Sequence, residues 1–447
     1  MPSARSSRFV NALASELPDR PFEVRFWDGA VLPATVADGR VPAFTVQSPQ
    51  AIADAVWAPG QLGLGRAYVA GRLDVDDLDG LIDLMNNWTP PALSPAAKRQ
   101  LALAALRAAG PTLPGRRTSA ELVPKGRRHS LARDRRAVRH HYDVSNEFFE
   151  LFLGPSLAYS CAVFSRGART LEQAQETKLE LVCTKLGLQP GERVLDVGCG
   201  WGSFALHAAA QHGVNVVGIT LSPEQARRAT QRVADAGLSG QVEIRVMDYR
   251  DLAGEKFDAI SSIGMVEHVG SARIDEYAEI LARCLHPGGR LLNHGIARLR
   301  HDSAEAGAFS ERFVFPDGAP LHLSRVQFAL ERAGFETGFV EGFKDDYATT
   351  LTHWIDRLDE RLDEARSLAG DDRVRVWRLY LRAARNGFRT GFTSIYQVQA
   401  TLAGDPPGGA STRTAPAAER TARPHPLRAV RGRPLAPLRR GSRHLRR

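Results

Sequence analysis

The sequence predicts an α/β protein: a doubly wound, mostly parallel sheet with a smaller N-terminal α+β domain and a disordered C-terminal tail. Three observations carry this. From about residue 190 the chain repeats a unit of apolar strand, glycine turn and amphipathic helix, an alternation that implies parallel strands covered on both faces. Residues 22–47 break into short apolar runs with turn signals, and residues 48–108 carry mostly helical periodicity. The C-terminus is rich in Pro, Ala, Gly and Arg, with almost no aromatic or β-branched residues to bury.

These patterns divide the chain into an N-terminal α+β domain (1–112), a basic linker (113–137), a large α/β domain (138–403) and the tail (404–447). The N-terminal part shows no catalytic constellation. The basic run at 115–139 reads equally as a solvated linker or a phosphate-binding surface, and "VSNEFFELFLGPSLA" at 144–158 as an apolar helix that packs on the core or lines an acyl entrance. "RVLDV" at 193–197 is the first strand of the repeat, followed by Gly198, Gly200 and Gly202 and a helix. "VNVVGITLSPEQARRATQRVADAG" is the second unit, with Ser222 as N-cap before Pro223. "QVEIRVMDYRDL", "KFDAISSIGMVEHVG" and "GGRLLNHGIARL" supply three further strands. In such a sheet the ligand binds at the carboxyl ends of the strands.

Composition sets limits. No run of about 18 apolar residues occurs, and the charged N-terminus lacks a signal-peptide core, so a cytoplasmic protein is expected. Cys161, Cys183, Cys199 and Cys284 form no CxxC pair, which suits a reducing compartment and suggests neither a disulfide framework nor a zinc site. Residues 405–447 hold eleven arginines against Asp405 and Glu419, and so carry the whole formal charge of +9. That tail reads either as an anchor for anionic lipid or nucleic acid or as a solvated appendage.

A glycine-rich turn after a strand serves several nucleotide-type ligands. Here the spacing is G-x-G-x-G, and the second strand ends Gly218, Ile219, Thr220, Leu221 with no acidic residue for a ribose, which disfavours NAD. "VLDVGCGWG", with Asp196 ahead of the turn, instead resembles motif I of the Rossmann-like class I S-adenosylmethionine (SAM) methyltransferases, and "MDYRD" stands where that fold contacts adenine. Together, "YDVSNEFFELFLGPSLAYSCAVFS", "LEQAQETKLELVCTKLGLQPGERVLDVGCGWG", "VVGITLSPEQ", "GMVEHVG" and "FVFPDG" resemble the cyclopropane-fatty-acyl-phospholipid synthase family, which includes the mycolic acid cyclopropane synthases, over roughly residues 138–402.

The resemblance implies a site. For the donor it implies Tyr159, Ser160, Asp196, Gly198, Gly200, Gly202, Thr220, Leu221, Gln225, Tyr249 and Arg250, with Gln225 reaching the ribose hydroxyls. For catalysis it implies a bicarbonate ion held by Cys161, Glu267, His294, Tyr347 and a backbone group at Ile296, with no metal. "LNHGIAR" departs from the "LHTIG" of many members: His294 is kept, while Asn293 and Gly295 alter its surroundings. His268 is expected on the opposite side of an extended chain from Glu267, as structural support.

The implied reaction moves a methylene unit from SAM to the cis double bond of phospholipid acyl chains, giving cyclopropane fatty acids. The alternative is a methylene-branched product, which a partner reductase would convert to a methyl branch. A protein peripheral to the inner membrane face is expected, with room for a homodimer. Nucleic acid is disfavoured as a substrate, because "GMVEHV" stands where amino-methylating enzymes carry an Asn/Asp/Ser-Pro-Pro-Tyr/Phe element.

Overall fold

A computed structural model describes residues 4–36, 41–123, 125–142, 144–252, 254–299 and 307–404. The tail from 405 lies outside these residues.

The N-terminal residues build a small sheet from β1 (Glu23–Phe26), β2 (Val31–Leu32), β3 (Ala43–Val46) and β4 (Leu73–Val75), in the order β2-β1-β3-β4. Phe26, Val46, Ile52, Ala67 and Leu73 make its core with the surrounding helices. One of these, Pro95–Ala109, starts where Ser94 accepts the N–H of Ala97 and ends at Gly110, whose φ of 65° suits glycine. A shared core crosses the expected 112/138 boundary, joining Tyr68, Val69, Val75 and Leu78 to Phe313, Val314 and Val376. Arg375 reinforces it by donating to the carbonyls of Tyr68 and Leu73.

The large sheet contains β5 (Arg193–Val197), β6 (Asn215–Thr220), β7 (Val242–Val246), β8 (Phe257–Ile263), β9 (Leu285–Arg298), β10 (Phe335–Gly342) and β11 (Thr393–Leu402), in the order β10-β11-β9-β8-β5-β6-β7. The strands from β9 to β7 run parallel, and β10 and β11 add an antiparallel edge. The five strands expected from the sequence form the parallel part. The strand order reverses at β5, which opens a crevice at its carboxyl end.

Two features differ from expectation, and a third falls on one of two readings left open. Residues 131–142, partly within the stretch read as linker, form the helix Leu131–Tyr142. The helix Asn146–Leu153 packs on the core: Phe148, Phe149 and Phe152 are wholly buried against Trp201, Trp354 and Trp377. Beyond β8 the chain is not extended. Gly264, at a φ of 69°, turns it into the single helical turn Val266–Val269, so Glu267 and His268 sit on adjacent positions of a helix rather than on opposite faces of a strand.

Candidate active site

The crevice at β5 is a deep cavity lined by the glycine turn, the ends of β6 and β8, and the segment after β7. Gly198 (φ 76°) permits its close walls, since a Cβ there would stand 2.9 Å from Met265 Cγ. Tyr159, Ser160, Asp196, Gly200, Thr220, Leu221, Gln225, Tyr249 and Arg250 all line the cavity, as the resemblance implies. Gly202 does not: at a φ of 80° it is the N-cap of the helix Ser203–His212, aiming that helix's amino end toward the turn.

Hydrogen bonds order the wall. Thr220 Oγ1 donates to Gln225 Oε1 at 2.8 Å, and Ser222 Oγ caps the next helix at the Gln225 N–H. With its carbonyl engaged by Thr220, Gln225 keeps its NH2 as the side-chain donor at the cavity wall. Tyr249 packs edge-on against Tyr277 at 5.5 Å, and burial pushes its phenol up to about 12. Arg250 lies on the wall as a clamp: it donates to both Asp248 oxygens and, at 2.9 Å, to Asp134 of the helix Leu131–Tyr142. Two carboxylates therefore claim its charge.

Several cavity residues were not anticipated from the sequence. Lys178 is fully buried and donates to Ser160 Oγ at 3.0 Å; burial lowers it to about 8, against the pull of Cys161 and Asp196. Burial raises Asp196 to about 7, with Lys178 acting in the opposite direction. His268 lines the cavity, and burial keeps its imidazole neutral down to about 4. A lysine in an otherwise amphipathic helix and a histidine beside the glutamate were the only signals.

Of the residues expected to hold the base, Cys161, Tyr347 and His294 contact Phe343. The Phe343 carbonyl lies 3.7 Å from the Cys161 sulfur, whose nearer acceptor is the Ala162 carbonyl at 3.2 Å; it accepts the Tyr347 N–H at 3.0 Å, and the Phe343 ring lies 6.2 Å from that of His294. Burial keeps Cys161 a thiol, well above its ordinary range, so it is a donor rather than a nucleophile. Tyr347 packs its ring on Phe388 at 4.6 Å. Glu267 Oε1 accepts the backbone N–H of Ile296 at 2.7 Å. Ile296 thus orients the glutamate, and its N–H is engaged there. Burial raises Glu267 to about 7.

A chain of side chains sets the histidine tautomer. Lys185 Nζ bonds Glu341 Oε2 and Gln397 Oε1, each at 2.6 Å. The amide of Gln397 therefore turns its NH2 to His294 Nδ1 at 3.2 Å. His294 is fully buried and neutral down to about 3 through burial, with Lys178 and Lys185 adding to the effect. Since Nδ1 accepts, Nε2 carries the proton. Neither His294 Nε2 nor Glu267 Oε2 has a hydrogen-bond partner among the described residues. Two buried polar atoms without partners, one on Glu267 and one on the strand to which Glu267 is bonded, fit a small oxyanion.

Gly295 explains the departure in "LNHGIAR". A Cβ there would lie 2.2 Å from Val266 Cγ1, so only glycine lets β9 approach the turn that carries Glu267. Asn293 accepts the Tyr277 hydroxyl at 3.1 Å and faces structure rather than ligand.

A glycine turn at the switch point, a buried amide after β6, an aromatic after β7 and a helix end at the turn are the arrangement of a SAM-dependent methyltransferase, and the chain's relatives place it in that class. Within that class the chain belongs to the mycolic acid cyclopropane synthetase family, whose description matches residues 129–398. It is 40% identical to the "Probable fatty acid methyltransferase Rv3720" of Mycobacterium tuberculosis, over 81% of this chain and 87% of that one. It is 34% identical to the cyclopropane-fatty-acyl-phospholipid synthase of Escherichia coli K12, over 76% and 82%. Among solved structures, the mycolic acid cyclopropane synthase CmaA1 in complex with SAH and CTAB matches with a TM-score of 0.57 and 34% identity, over 60% of this chain and 98% of that one.

Proposed function

We propose that the protein transfers a methylene unit from SAM to the cis double bond of phospholipid acyl chains, giving cyclopropane fatty acids. The observation that carries this is the pair of buried polar atoms without partners among the described residues, Glu267 Oε2 and His294 Nε2, on two residues that do not line the donor cavity. Plain methyl transfer to an amine or hydroxyl has no need of a second buried oxyanion site. Closing a ring does, because a proton must leave carbon.

A cis alkene is a poor nucleophile, so the first task is to hold its π-face against the sulfonium methyl. Tyr159 lines the donor cavity and lies 5.4 Å from Trp354, 5.8 Å from Phe149 and 6.0 Å from Trp377. Such a ring cluster excludes water and stabilises positive charge developing on carbon. Glu267, the Nε2–H of His294, the thiol of Cys161 and Tyr347 would hold a bicarbonate ion. When bound, that ion supplies the proton acceptor.

The methylene-branched product is a second reading, supported by the 40% identity to a relative named as a probable fatty acid methyltransferase. That product would call for a partner reductase. Membrane contact at the inner face would deliver the acyl chains. Among the described residues no helix is long and apolar enough to cross a bilayer, and the arginine-rich tail would draw the protein to anionic headgroups. The test is transfer of label from methyl-labelled SAM to vesicles of unsaturated phospholipid, with DNA, RNA and small amines as competitors. Label in lipid supports the proposal, and label in a competitor alone rejects it.

A further inference from the structure

Two packed helices bring together a set of side chains that the transfer reaction does not use. Cys183 lies on Leu171–Leu186, and His207 and His212 lie on Ser203–His212. The Cys183 sulfur and one ring nitrogen from each histidine all lie within 4.8 Å of one another. Glu180, one turn before Cys183, places Oε2 3.1 Å from Nε2 of both imidazoles.

We infer that Cys183, His207 and His212 form a binding site for a zinc-type divalent cation, with Glu180 hydrogen-bonded to both imidazoles beside it. The donor set is one soft thiolate and two imidazoles, with the fourth position left to water. That combination selects zinc or its neighbours over magnesium and calcium. With metal–ligand bonds of about 2.1 Å, donors at the corners of a tetrahedron stand about 3.4 Å apart. The Cys183, His207 and His212 donor atoms, within 4.8 Å of one another, would draw in toward that edge around a cation.

Charge also balances, since a thiolate and a carboxylate neutralise a dication. Cys183 is fully buried, and its thiol proton would leave to solvent as the sulfur–metal bond forms. The histidines keep 12% and 20% of their side-chain surface exposed and Glu180 keeps 49%, which leaves a path of entry. No CxxC pair announces the site, because each helix contributes only half of it. A bound ion would cross-link the helix that leaves the glycine turn to the helix carrying Lys178, and so raise thermal stability.

The test uses the untagged full chain, stripped with chelator and titrated with Zn2+ by calorimetry and with Co2+ by absorption. The expected result is one ion per chain, a sulfur-to-cobalt charge-transfer band with intense tetrahedral visible bands, and a higher melting temperature with Zn2+. The pair His207→Asn and His212→Asn should weaken binding by about tenfold or more. Cys183→Ser should abolish the charge-transfer band. The histidine pair is partly exposed, so it remains informative if the buried cysteine variant fails to fold. Absence of uptake by the wild-type chain at equimolar zinc, or uptake equally tight in the histidine variant, overturns the proposal.

Discussion

The carboxylate of Glu267 is tied to the backbone of Ile296 by a 2.7 Å hydrogen bond from the Ile296 N–H to Oε1. This bond joins the helical turn after β8 to β9, two residues beyond His294. It fixes one carboxylate oxygen and leaves Oε2 for whatever enters the pocket. Glu267→Gln keeps an oxygen for Ile296 but replaces the acid with an amide. Turnover is expected to fall by about 100-fold or more, with SAM affinity unchanged, and bicarbonate depletion should slow the wild type in parallel. Rates and SAM titration calorimetry on both proteins check this.

Burial of Glu267 has a cost that depends on pH. Its carboxyl is raised from 4.5 to about 7 in the folded protein, so the folded state holds the proton more tightly than the unfolded one. The associated stability is fully present below pH 4.5 and is lost as pH rises through about 7. Glu267→Gln removes this dependence, so the variant should gain on the wild type between pH 5 and pH 8, by on the order of 3 kcal/mol. Asp196 shifts in the same direction but is common to both proteins and cancels in the difference. Denaturant midpoints across that range give the measurement, and parallel curves would contradict it.

Gln397 selects the tautomer of His294 because Lys185 holds its carbonyl. Gln397→Glu presents an acceptor to Nδ1 in place of a donor, which moves the proton from Nε2 to Nδ1. Turnover should then drop by about 10- to 100-fold with SAM affinity preserved. Long-range 15N–1H correlation spectra of His294 report the tautomer directly. A variant that kept the Nε2–H form while losing activity would show that Gln397 acts otherwise.

The parallel sheet and its cofactor end were legible because β5 to β9 are short apolar runs punctuated by glycine, a pattern that local chemistry dictates. The edge strands β10 and β11 were not, because "FETGFVEG" and "TSIYQVQATL" are amphipathic segments whose pairing is set by distant partners. In the site, Glu267 and His294 were reachable through the motif order, and so was the turn from Asp196. Lys178, Lys185 and Gln397 were not: their roles arise from contacts across 18 to 212 residues of sequence. The helical turn at Val266–Val269 was hidden by the apolar run before it, where Gly264 alone marked the change.

The central claim is that the substrate is an alkene in a lipid acyl chain, and product analysis tests it most directly. The enzyme is incubated with SAM and with phospholipids carrying either saturated or cis-unsaturated chains, and the released esters are read by mass spectrometry and proton NMR. The account predicts that only unsaturated chains gain one CH2 unit and that the new protons resonate far upfield, as cyclopropane protons do. Signals in the vinyl region instead would establish the methylene-branched alternative. Equal gain by saturated chains, or no gain by either while SAM is consumed on another acceptor, would contradict the account.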